Sequence, residues 1–148
     1  MEQKDVLKAL QRDHAAELKL AAKRLKGTAR HTTIIPSPVL SETTGHEILL
    51  KPENLQVTGS FKIRGAYNKI ASLSEEELSH GIVTASAGNH AQGVAYAARE
   101  RGAKATICMP QITPPLKVDA TKAYGADVVL CGEVFDAVSY THLRAHET

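Results

Sequence analysis

From Gly81 onward the sequence alternates between five-residue apolar runs and longer segments of helical character. Ile82–Ser86, Ala105–Met109 and Asp127–Cys131 are the runs. Asn89–Arg101, rich in alanine and closed by Gly102, and Pro115–Tyr124, closed by Gly125, lie between them. Upstream, Ile48–Leu50 reads as a further strand ended by Pro52, and Ser60 to about Leu73 reads as a helix. Short apolar strands separated by helices of about 10–14 residues define parallel βαβ units. The runs show little polar alternation, so both sheet faces are expected to be covered by helices, giving an α/β three-layer sandwich. Ligands of such sheets bind beyond the C-terminal strand ends. The expected site therefore lies among the turns near Lys51–Asn54, Ser86–His90, Pro110–Thr113 and Gly132.

The remaining segments are read from their punctuation. Residues from about Val6 to Lys26 have helical apolar spacing, Gly27 is a stop, and Lys23, Arg24 and Lys26 complement the helix dipole. Thr28 to Gly45 is expected to be irregular, because Pro36 and Pro38 disfavour regular structure. Ser74 followed by Glu77 predicts a capped short helix.

Composition removes several classes of function. With 148 residues, 43% of them apolar, the chain can bury a single core unaided. No apolar run approaches the ~20 residues of a membrane span. Met1–Asp5 begins no secretory signal. Cys108 and Cys131 form neither a disulfide framework nor a zinc pattern, and each is expected to serve as a small buried hydrophobe. A net charge of +2 spread along the chain, with 4% aromatics and no Trp, gives no nucleic-acid surface. The expectation is a cytoplasmic protein handling a small molecule, with no nucleic-acid or membrane partner. His14, His31, His46 and His80 have no evident chemical partner and read as surface or structural residues.

Two turns depart from the ordinary. Glu53–Lys62 contains Gly59, which lets the backbone turn, Ser60, placed to cap a helix, and Lys62 in the first helical turn. A helix N-terminus favours anions, so positive potential there favours the uncharged, nucleophilic form of the Lys62 amine. Such lysines form Schiff bases with carbonyls. The plainer reading of the local sequence is an exposed helix lysine. Ser86-Ala87-Gly88-Asn89-His90 leaves a strand and enters a helix, so its backbone N–H groups can cradle a carboxylate or phosphate. Its plainer reading is a βα turn with an Asn cap. Gly93, inside the following helix, costs about 1 kcal/mol relative to Ala and leaves room for another element. A Schiff-base lysine requires a carbonyl, which a substrate or cofactor must supply.

Two long motifs carry a family resemblance. Lys51-Pro52-Glu53-Asn54-Leu55-Gln56-Val57-Thr58-Gly59-Ser60-Phe61-Lys62-Ile63-Arg64-Gly65-Ala66 closely resembles the lysine signature of pyridoxal-phosphate threonine and serine dehydratases (fold type II). Thr84-Ala85-Ser86-Ala87-Gly88-Asn89-His90-Ala91-Gln92-Gly93-Val94-Ala95 resembles the same family's asparagine loop. The resemblance runs from about Ala22 through Val138. It implies that Lys62 holds pyridoxal 5'-phosphate and acts as the general base. It further implies that Phe61 packs beside the ring and Asn89 bonds the phenolic oxygen, while Ser86, Gly88, Asn89 and His90 receive the substrate carboxylate. The implied reaction is β-elimination of L-threonine or L-serine to 2-oxobutanoate or pyruvate plus ammonia, in an enzyme that commonly forms homo-oligomers. Related serine racemases place a Ser where Ala87 stands and use it as an acid–base. Ala87 has no exchangeable proton, which favours elimination. Ile63, where cysteine synthases place an Asp, favours the dehydratases over those enzymes.

The resemblance also implies what this chain lacks. The family's Gly-rich phosphate loop has no counterpart, since the chain holds no consecutive glycines. Residues 1–50 are expected to belong to the large domain and 51–138 to form the small domain. Residues 139–148 cease to resemble the family and read as a non-native tail. On this reading the isolated chain is an N-terminal portion without activity of its own.

Overall fold

The structure, a computed structural model, describes residues 13–132. The helix start expected at Val6 and the tail at 139–148 lie outside them. Helix α1 (His14–Leu25) begins at Asp13, whose carboxylate accepts from the Ala16 N–H at 2.9 Å. Lys23 and Arg24 occupy its last turn, as expected.

The segment expected to be irregular contains two elements. Strand β1 (Ile35–Pro36) pairs antiparallel with β2 (Leu49–Leu50), and α2 (Pro38–Thr44) lies between them. Proline opens α2 because the first helical N–H needs no partner. Pro36 is tolerated because a two-stranded ribbon is all edge. Gly45 closes α2 with φ +70°. Thus Ile48–Leu50 does not join the parallel sheet. Its nearby antiparallel partner takes it, and an apolar triplet alone does not specify which partner that is.

A 3₁₀ turn at Glu53–Leu55 leads to α3 (Lys62–Ile70) and α4 (Glu75–Ser79). The capping box at α4 is formed: the Ser74 N–H donates to Glu77 at 2.7 Å, and the Glu77 N–H donates to Ser74 Oγ at 3.2 Å. Strand β3 (Ile82–Ala85), helix α5 (Asn89–Glu100), strand β4 (Ala105–Met109), helix α6 (Pro115–Ala123) and strand β5 (Asp127–Leu130) follow, close to the expected bounds. The strands form a parallel sheet in the order β3-β4-β5, with Ile82 opposite Ala105 and Thr106 opposite Asp127.

Sequential strand order with right-handed crossovers puts α5 and α6 on one face of this sheet. Ala105, Ile107 and Met109 point into that side and are buried, while Thr106 and Cys108 alternate with them and are half-buried. Among the described residues, then, one face of the sheet carries a packed helical layer. The expected second layer is not among them. Helix α5 is the pivot of the core. Ala91, Ala95, Ala97 and Ala98 are all buried, and their small side chains let α3 lie close against α5, with Ile63, Ala66 and Ile70 its buried residues.

Candidate active site

Lys62 is the first residue of α3, and Gly59 (φ +68°) turns the chain just before it. Ser60 is buried, and its Oγ accepts from the Lys62 N–H at 3.4 Å, although Phe61 takes the cap position itself. The Lys62 side chain is exposed, and its Nζ lies 5.0 Å from the centroid of the Phe61 ring. Among the described residues the amine has no carboxylate partner and no hydrogen bond.

The second expected turn meets the first. His90 stands in the opening turn of α5 and shares with Phe61, Lys62, Arg64, Gly65 and Ala66 a cleft of about 310 Å³. Partial burial, and then the charge of Lys62, hold the His90 imidazole below its usual range. Ser86, Gly88 and Asn89 lie in the adjoining turn and do not line this cleft. The Ser86 N–H donates to the Cys108 carbonyl at 3.0 Å, anchoring the turn to β4. Ser86 Oγ accepts from the Ala91 N–H at 3.2 Å and, at the long distance of 3.4 Å, from Gly88. Ser86 thus supplies the capping oxygen for α5. The plain reading of an Asn cap is not what forms: Gly88 takes the cap position, and Asn89 is the first helical residue, with its side chain exposed.

Of the other expected turns, Pro110–Thr113 and Gly132 meet at the same end of the sheet as Ser86, where the Gln111 N–H donates to the Gly132 carbonyl at 3.0 Å. Lys51–Asn54 does not follow a strand of that sheet. It forms a polar clamp behind Lys62. Arg64 binds both carboxylate oxygens of Glu53, Thr32 Oγ1 donates to the same carboxylate at 2.6 Å, and the Gln56 amide bonds both the N–H and the carbonyl of Arg30. The Lys51 ammonium donates to the Thr32 carbonyl at 2.8 Å. On the far side, the Tyr124 hydroxyl donates to the Val57 carbonyl at 3.1 Å. These contacts join residues 11 to 67 positions apart, so no local pattern could have disclosed them.

Cys108 and Cys131 are free thiols and only half-buried, not fully buried as expected; the Cys108 thiol is pushed up by partial burial and then by neighbouring Cys131. Among the described residues, no group of His, Cys, Asp and Glu could hold a metal ion, and no helix is long and apolar enough to cross a membrane.

Known proteins match this chain along most of its length. The chain belongs to the pyridoxal-phosphate dependent enzyme family, whose sequence model matches residues 25–147. It is 56% identical over 131 residues to an L-threonine ammonia-lyase of Thermotoga maritima, covering 88% of this chain and 33% of that protein. It is 52% identical over 107 residues to the mitochondrial threonine dehydratase of Schizosaccharomyces pombe, covering 72% of this chain and 18% of that protein. Among solved structures, threonine deaminase isoform 2 of Solanum lycopersicum superposes with a TM-score of 0.76 at 41% identity, covering 92% of this chain and 41% of that one. A serine racemase of Dictyostelium discoideum gives 0.80 at 40% identity, covering 89% and 43%. The chain thus spans about a third of the length of the Thermotoga relative.

The site residues fit the family's cofactor. Among the described residues no carboxylate holds the Lys62 amine away from a carbonyl brought into the cleft. Gly65 borders the cleft, and Gly88 stands beside it in the turn. A Cβ at either would meet nothing within 4 Å beyond its own stretch of backbone, so the space beside both is open.

Proposed function

We propose that this chain carries the lysine-bearing part of a pyridoxal-phosphate-dependent ammonia-lyase that converts L-threonine or L-serine to 2-oxobutanoate or pyruvate plus ammonia. The observation that carries the reading is the single cleft shared by the Lys62 turn and His90, at the N-termini of two helices. When bound, the cofactor supplies the carbonyl that Lys62 engages and the sink for the electron pair left at the substrate's Cα.

The chain's own residues have distinct tasks. Lys62 Nζ holds the cofactor and, once released, takes the α-proton as general base. Phe61 flanks the ring, and the Asn89 side chain donates to its phenolic oxygen. Ser86, Gly88, Asn89 and His90 receive the substrate carboxylate at the start of α5, where N–H donors and the helix dipole favour an anion. Residues 51–138 form the small domain and 1–50 part of the large one. The complete enzyme is a cytoplasmic homo-oligomer.

Charged contacts to phosphate are the strong ones, and this chain has no glycine-rich loop to make them. The isolated chain is therefore expected to release little ammonia from L-threonine with added cofactor. Borohydride trapping of pyridoxal phosphate on the chain, followed by peptide mapping, tests the anchor. Lys62 is expected to be the labelled lysine, and Lys62→Ala to lose that label. Labelling spread evenly over the other lysines would sink the assignment.

The racemase neighbours raise a second reading, serine racemisation. Ala87 separates the two, because it offers no acid–base group to the opposite ring face. In the complete enzyme, product analysis that finds D-serine in place of pyruvate would favour the racemase.

A further inference from the structure

Gly93 sits one turn beyond Asn89 on α5, against the backbone at the start of α3. A Cβ placed on Gly93 would lie 3.2 Å from the Lys62 carbonyl carbon, 3.2 Å from its oxygen and 3.3 Å from the Ile63 nitrogen. All three atoms are backbone, so no side chain can swing aside. Nor can α3 easily retreat, since Ile63, Ala66 and Ile70 are buried on its inner side. The same helix end carries Asn89 and His90.

We infer that Gly93 is a positioning residue, which sets the separation between the Lys62 turn and the Asn89–His90 turn by letting α5 touch the Lys62 peptide directly. A methyl group there pushes the two turns apart by a few tenths of an ångström. Gly in mid-helix is intrinsically worse than Ala, so helix propensity alone would favour the substitution. What retains the glycine is the contact. The inference rests on the proposed role of Lys62, and it extends that role to a residue that touches neither cofactor nor substrate. Misplacement of reacting groups by even a fraction of an ångström lowers the yield of a reaction that needs both sides aligned.

The test compares the wild-type chain, Gly93→Ala and Ile107→Val, the last being a core truncation remote from the cleft. Each is incubated with pyridoxal phosphate, trapped with borohydride and mapped, and each is unfolded in urea. Gly93→Ala is expected to unfold cooperatively yet lose Lys62 labelling by roughly threefold or more, while Ile107→Val labels as wild type does. Wild-type labelling in Gly93→Ala overturns the inference, as does an equal loss in Ile107→Val, which would make the effect one of stability.

If wild type itself shows no preference for Lys62 over Lys69 and Lys104, the cofactor reading falls, and the His90 titration by NMR decides the matter of Gly93. His90 faces Phe61, Lys62 and Arg64 across the cleft, and Lys69 and His80 along the neighbouring groove. Parting the helices hydrates the imidazole and distances Lys62, so its midpoint rises in Gly93→Ala. An unchanged midpoint overturns the inference.

Discussion

Arg64 grips Glu53 through both carboxylate oxygens, with Nε 2.7 Å from Oε2 and Nη2 2.8 Å from Oε1. The pair fastens the 3₁₀ turn at Glu53–Leu55 to the first turn of α3, two residues beyond Lys62. Arg64 also donates to the Arg30 carbonyl at 3.2 Å, so the chain leaving α1 is held at the same point. The hydrogen bond from Arg64 is the main reason the Glu53 carboxyl falls from 4.5 to about 2, against the opposing effect of burial. Glu53→Gln is expected to cost about 1–2 kcal/mol at neutral pH, the lower part of the range for bonds to charged groups because solvent screens a partly exposed pair. Urea unfolding measures it, and an unchanged midpoint would show that the clamp is idle.

The same pair sets a pH dependence. The carboxyl titrates lower in the folded chain than in the unfolded one, so its stabilisation is complete above about pH 4.5 and lost as pH falls toward 2. The stability difference between wild type and Glu53→Gln should therefore shrink steadily over that interval. A difference that stays constant from pH 7 to about pH 3 would contradict the assignment.

Ser86→Ala removes the capping oxygen that receives the Ala91 N–H at 3.2 Å. The loss is expected to be about 1 kcal/mol. Because α5 would fray from its Asn89 end, hydrogen exchange should quicken at Asn89–Ala91 before the rest of the helix. Uniform exchange along α5 would count against the cap.

Tyr124→Phe deletes the bond to the Val57 carbonyl and leaves the edge-to-face contact with Tyr96 at 5.7 Å. A loss of about 1 kcal/mol is expected. Amide exchange at Thr58–Ser60 should rise more than in α6, since the tether acts on the turn that presents Lys62.

Ile107 is fully buried in the central strand β4 beneath α5. Ile107→Val is expected to cost about 0.5–1.5 kcal/mol and Ile107→Ala about 2–5 kcal/mol. Similar losses for the two would mean that the site collapses around the gap.

Local chemistry determined much of this protein in the sequence itself. The parallel strands and their helices were legible from Gly81 onward because each run carries its own period and its own glycine or proline stop. The Ser74–Glu77 box closed as its spacing required. Lys62 and the Ser86–His90 turn were legible as unusual, since a lysine in a first helical turn and a donor-rich βα turn are local facts. Their family resemblance then named the chemistry.

Partner choice belonged to the tertiary structure. The Leu49–Leu50 strand paired with Ile35–Pro36 and not with the main sheet, and Pro38 opened a helix in a stretch that composition marked as irregular. The sequence marked Gly93 as costly in a helix, but only the crossing of α5 over α3 showed that the Lys62 peptide fills its missing side chain. The clamp of Arg64 on Glu53, and of Gln56 on Arg30, likewise forms only when distant segments meet. Periodicity and turn chemistry act over a few residues and are written in order along the chain. Close approach and ion pairing depend on distance in space, which the order of residues does not state.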